Sequence, residues 1–140
     1  MSWQLWAVLS AVFAAATAIL AKVGVQNINS DFATFVRTIV VLVALGLILL
    51  ATGQYQRWDS IPRRSLVFLI LSGLATGASW VCYFRALKLG DAAIVAPIDK
   101  LSVVLVAVLG VSCLGEKLAA RNWVGIVLIA SGAVLVGWKP

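Results

Sequence analysis

A chain of 140 residues with 63% hydrophobic and only 11% charged residues has too little polar surface to cover a soluble core of its size. Its formal net charge of +6 comes from eleven Lys and Arg against five Asp and Glu. These cations are scattered over short connections rather than gathered in a stripe, which is not the footprint of a nucleic-acid binder.

Five apolar stretches predict helices over 3–23, 32–52, 64–88, 92–114 and 121–138. Each is near the roughly 20 residues needed to cross about 30 Å of hydrocarbon. Lipid offers an open backbone no hydrogen-bond partners, so all five must be helical. The expected fold class is an all-α integral membrane protein, a bundle of five transmembrane helices forming one domain over residues 1–140. It would be multi-pass in the cell (inner) membrane, with the lipid bilayer as its first partner. The first stretch follows Met1-Ser2 without a basic segment and is longer than the apolar core of a signal peptide, so it is read as a span.

The connections are short. Residues 22–31 join the first two helices, and Ser30 or Asp31 suits the N-cap of the second. The longest loop, 52–64, carries Gly53 and Pro62. The shortest, 89–91, places Gly90 as a helix stop and Asp91 as the next N-cap. Gly115 stops the fourth helix before Glu116. Such short turns make sequence neighbours pack antiparallel. Trp3, Trp6, Trp58, Trp123 and Trp138 sit at predicted helix ends, where indole rings prefer the headgroup layer. Only Trp80, well inside the third helix, needs another explanation.

An odd number of spans puts the termini on opposite sides. One side then holds Arg57, Arg63, Arg64, Lys117 and Arg121, the other Lys22, Arg37, Arg85, Lys88 and Lys139, with Lys100 between. Five cations against five give no instruction for orientation, so the chain is expected to insert both ways round.

Four charges fall inside apolar runs: Arg37, Arg85, Asp99 and Lys100. A charge at a helix centre costs about 2.5–3.5 kcal/mol on insertion scales, so such residues face protein or a water-filled cavity. Two readings are open for them: a substrate or coupling site, or an internal ion-pair network with the arginines reaching out to the headgroups. Pro97 cannot donate to the carbonyl of Ala93 and predicts a kink beside Asp99. Gly73 and Gly77 form a GxxxG motif, with Trp80 and Phe84 continuing their face. Gly125 and Gly132, seven apart, share a face of the last helix; helix packing within one subunit and dimer contact are both consistent with these glycines.

Cys82 and Cys113 both lie inside spans and the chain has no His, so no metal site, disulfide framework or cofactor is expected. Without His, and with one acid deep in the bundle, no nucleophile–base pair can be assembled, so the chain does not read as an enzyme.

The segment Ala86-Leu-Lys-Leu-Gly-Asp-Ala-Ala-Ile-Val-Ala-Pro97 resembles the EamA domain of the drug/metabolite transporter superfamily. The likeness continues through Leu114-Gly-Glu-Lys-Leu118 and Gly125-Ile-Val-Leu-Ile-Ala-Ser-Gly132, and more weakly through Phe13-Ala-Ala-Ala-Thr17. Typical members carry two five-helix units in inverted orientation, and this chain is similar to one of them. The resemblance therefore implies one half of an inverted-repeat transporter, completed by a second copy as an antiparallel homodimer.

In the related small multidrug resistance proteins a glycine heptad lines the dimer contact, and the resemblance extends that role to Gly125 and Gly132. Those proteins also carry a cation-binding Glu in the first helix, where this chain has Ala14.

The reading that follows is a small-molecule transporter working by alternating access. Its path would be lined by Trp80, Tyr83, Asp99 and Lys100, with Arg37 and Arg85 adding positive charge. That balance favours an anionic or zwitterionic metabolite. The alternatives are a multidrug or cation–proton exporter and a non-transporting membrane subunit of a hetero-complex.

Overall fold

The computed structural model describes residues 2–138. Six helices occupy them: α1 (Trp3–Val25), α2 (Ser30–Thr52), α3 (Arg63–Leu89), α4 (Ala92–Asp99), α5 (Ser102–Leu114) and α6 (Ala120–Gly137), with a 3-10 turn at Trp58–Ser60. No strand occurs among the described residues. Five segments are long and apolar enough to cross a membrane, α4 and α5 together forming the fourth. Large apolar side chains such as Trp6, Leu42, Leu74 and Leu128 lie exposed along them, as a surface solvated by lipid requires.

Hydroxyl groups inside the spans need internal acceptors for the same reason. Thr34, Thr38, Thr76, Ser112 and Ser131 each donate to the carbonyl four residues back, at 2.7–2.9 Å. Lys139, one of the cations counted in the sequence, lies outside the described residues.

The chain divides into two compact units. The unit of residues 21–88 contains the end of α1, all of α2 and nearly all of α3. Its buried apolar side chains include Val25, Ala33, Phe84 and Leu87. These come from the last turn of α1, the first turn of α2 and the last turns of α3, so this core sits where α1 hands over to α2. The N-cap of α2 is Asn29, whose side chain accepts from the backbone N–H of Asp31 and Phe32 at 2.8 and 3.2 Å. The cap is thus one residue earlier than Ser30, because the Asn29 carboxamide reaches both orphan donors from extended backbone. Ser30 and Asp31 are released from capping and become helix residues.

The other unit contains residues 1–20 and 89–140. Here both α4 and α5 pack on α6. A Cβ on Gly137 would stand 2.9 Å from the Ile98 Cδ1 atom, so glycine permits this close approach. The single helix expected over 92–114 is interrupted at Lys100-Leu101. Around the break, Lys100, Leu101, Val103 and Val104 donate to carbonyls three residues back instead of four. Pro97 lies inside α4 and supplies no N–H to Ala93, and the tightened ladder begins with its own carbonyl. Gly115 closes α5 in the left-handed region at φ 69, where its N–H reaches the Gly110 carbonyl. A non-glycine residue would be strained at that φ.

Candidate functional site

Charged side chains stand within the spans of each unit. In the unit of residues 21–88, Arg85 lies in the last turns of α3 and Asp31 in the first turn of α2. The Arg85 guanidinium donates to both Asp31 carboxylate oxygens, at 2.9 and 2.6 Å. This is a fork-to-fork pair, the most directional form of ion pair. Lys22 donates to the Leu87 carbonyl at 2.8 Å, placing an ammonium at the negative end of the α3 dipole. Lys88 donates to the Ile28 carbonyl at 2.6 Å. Three charged contacts therefore tie the end of α3 to the α1–α2 connection.

Arg37 lies deeper and makes a different contact. Its guanidinium carbon is 4.1 Å from the centroid of the Trp80 ring and 5.6 Å from that of Phe84. Trp80 and Phe84 are one helical turn apart, on one face of α3. Arg37 is seven residues into α2, about 10 Å along the axis, and Trp80 is nine residues before the end of α3, about 13 Å in. The guanidinium therefore lies beside Trp80, about two helical turns from the nearer ends of both helices.

A charge at this depth costs about 2.5–3.5 kcal/mol, and stacking on an aromatic face returns about 0.5–2 kcal/mol. The guanidinium has no hydrogen bond or ion pair to any described residue. Tyr83 is half-buried one residue before Phe84, within electrostatic range of Arg37.

In the other unit, the Lys100 ammonium is 3.3 Å from the carboxylate of Asp99. Neighbours on a continuous helix point about 100° apart. Lys100 belongs to the turn after α4, where the chain has left the helical ladder, and can fold back onto its neighbour. Lys100 is exposed and Asp99 half-buried.

Of the residues singled out in the sequence, the structure joins Arg37 to Trp80 and Asp99 to Lys100. Arg85 is joined instead to Asp31, which entered the sequence reading only as a possible cap. Counting Asp31 with Arg37, Arg85, Asp99 and Lys100 leaves a single cation unmatched, and that cation is Arg37. The signal for Asp31 was present: it lies at the start of one predicted helix, and Arg85 near the end of another that finishes on the same side.

Among the glycines, a Cβ on Gly73, Gly77, Gly125 or Gly132 would meet nothing within 4 Å. The close approaches are at Gly137 and at Gly110, where a Cβ would stand 2.7 Å from the Glu116 carboxylate. Nothing in sequence spacing marked either one.

Compared with known proteins, residues 1–138 match the EamA-like transporter family. The chain belongs to that family. This EamA-like protein is 64% identical over 135 residues to a protein described as an uncharacterized transporter in the cobO 3′ region of a Sinorhizobium species. The match covers 96% of each chain. No solved structure matches it. Family and spans together make it a multi-pass membrane protein of a transporter family, which points to transport rather than enzymatic chemistry.

Proposed function

We propose that this EamA-like protein carries an anionic or zwitterionic small molecule across the cell (inner) membrane by alternating access, as an antiparallel homodimer whose chains insert in both orientations. The observation that carries the reading is the charge inventory of the spans. Both acids in the spans, Asp31 and Asp99, are engaged by cations, whereas Arg37, inside α2, rests on the Trp80 and Phe84 rings with Tyr83 in electrostatic range and no carboxylate among the described residues against it. A guanidinium without a carboxylate partner inside the α2–α3 pair repels lipophilic cations and attracts carboxylate or phosphate groups.

The open faces of Gly73, Gly77, Gly125 and Gly132 support association with a second copy, because small residues let helix backbones approach closely. The even division of cations supports two orientations. Asp99, with Lys100, is assigned the coupling role. The interrupted helix after Pro97 gives that segment a place to bend, as the broken helices of transporters do.

The experiment is substrate counterflow in liposomes holding purified protein, with anionic, zwitterionic and quaternary ammonium compounds compared from pH 5.5 to 8. Exchange of the first two classes is expected. Exchange confined to quaternary ammonium compounds and lost on acidification would replace this reading with a cation–proton exporter.

A further inference from the structure

Within the proposed transport reading, on which this inference rests, we infer that the Arg37 guanidinium lying on Trp80 is the receptor for a single carboxylate of the transported molecule. Three observations narrow the chemistry.

The first is the availability of donors. Arg85 spends its fork on Asp31, and the Lys100 ammonium lies against Asp99. Of the basic side chains in α2 and α3 whose N–H groups meet no acceptor among the described residues, Arg63 and Arg64 stand at the very start of α3, whereas Arg37 stands inside its helix. The second is geometry. A guanidinium resting on an indole ring presents its N–H groups around the rim of its plane, and two parallel N–H groups match the two oxygens of a carboxylate. The third is charge. One unmatched cation balances one negative charge, whereas a phosphate monoester carries about 1.5–2 at neutral pH and would remain under-compensated. A monocarboxylate is the occupant these features fit, whether the rest of the molecule is neutral or bears an amine elsewhere.

Trp80 gives the site its own reporter, because an anion drawn to the guanidinium changes the charge seen by the ring 4.1 Å away. The purified full-length protein is titrated with benzoate, with acetate and with inorganic phosphate. Binding is followed by tryptophan emission and independently by calorimetry. Benzoate should produce a saturable emission change that disappears in Trp80→Phe, while calorimetric binding persists in weakened form.

Arg37→Lys keeps the charge but loses the fork, and should weaken benzoate binding by at least about tenfold. Arg37→Gln should abolish it. Arg57→Gln, in an exposed loop pair with Asp59, should bind as the parent does. Benzoate binding unchanged in Arg37→Lys would overturn the inference, as would an emission change that survives Trp80→Phe or phosphate binding tighter than either carboxylate. The two readings fail separately. Anion counterflow that persists in Arg37→Lys at the parent rate overturns the receptor role and spares transport. Arg37-dependent benzoate binding in a protein that moves no anion across liposomes overturns transport and spares the receptor.

Discussion

Asp31 and Arg85 are 54 residues apart in the chain, yet the Arg85 guanidinium meets both oxygens of the Asp31 carboxylate. The pair exists because Asn29 caps α2 in place of Ser30 or Asp31. A carboxylate occupied with backbone N–H groups would not be free to turn to α3. One residue of register at a helix start therefore decides whether the Asp31 carboxylate is free to meet Arg85.

Breaking that pair should leave a charge without its partner at the membrane boundary. Asp31→Asn and Arg85→Gln are each expected to lower the thermal midpoint of the detergent-purified protein, and the double variant should recover most of the loss. Equal and additive losses in a double-mutant cycle would mean that the two side chains are not coupled.

Asp99→Asn should abolish proton- or cation-coupled transport while leaving the protein folded and assembled. The neutral amide can neither take up a proton nor bind a cation. If the carboxylate serves only to match Lys100, adding Lys100→Gln should restore transport. Counterflow of the single and double variants, with size-exclusion profiles as the folding control, separates these outcomes.

Pro97→Ala would return a backbone donor to the Ala93 carbonyl and favour a continuous helix through Lys100-Leu101. Relief of an interior proline is worth up to about 3 kcal/mol in helix propensity. The variant is expected to gain thermal stability and lose transport rate, and its amides near Ala93 should become more protected against hydrogen exchange. Faster turnover in a more stable protein would contradict a bending role for this segment.

Glycines should divide into two classes. Gly125→Leu and Gly132→Leu fill space that is open in the single chain, so crosslinking yield of the dimer should fall while the monomer remains folded. Gly137→Val meets the end of the exposed Ile98 side chain, which can turn aside, so the α4–α6 contact should be weakened by less than the roughly 1–3 kcal/mol of core overpacking. An unchanged crosslinking yield in both Gly125→Leu and Gly132→Leu would move the dimer contact to another face.

Orientation should follow charge. Reporters fused after Pro140 are expected to be active on both sides of the membrane, and two or three added Lys residues in the 52–64 loop should drive the population to one orientation. A parent protein found uniformly one way round would end the dual-topology reading.

The spans and their number were legible in the sequence, because an apolar run near 20 residues has one stable form in lipid. The glycine stop at Gly115 was legible too, since left-handed backbone all but requires glycine. The residues with chemistry could be picked out singly: Arg37, Arg85, Asp99 and Lys100 stand out because charge inside a span is costly. Their partners could not be named, because hydropathy is a property of one helix and pairing is a property of two. Only the folded chain laid Arg37 on Trp80, turned Arg85 to Asp31 and opened the fourth span beyond Pro97. A capping choice one residue away, a missing N–H and the reach of a side chain decided those contacts, and local composition records none of them.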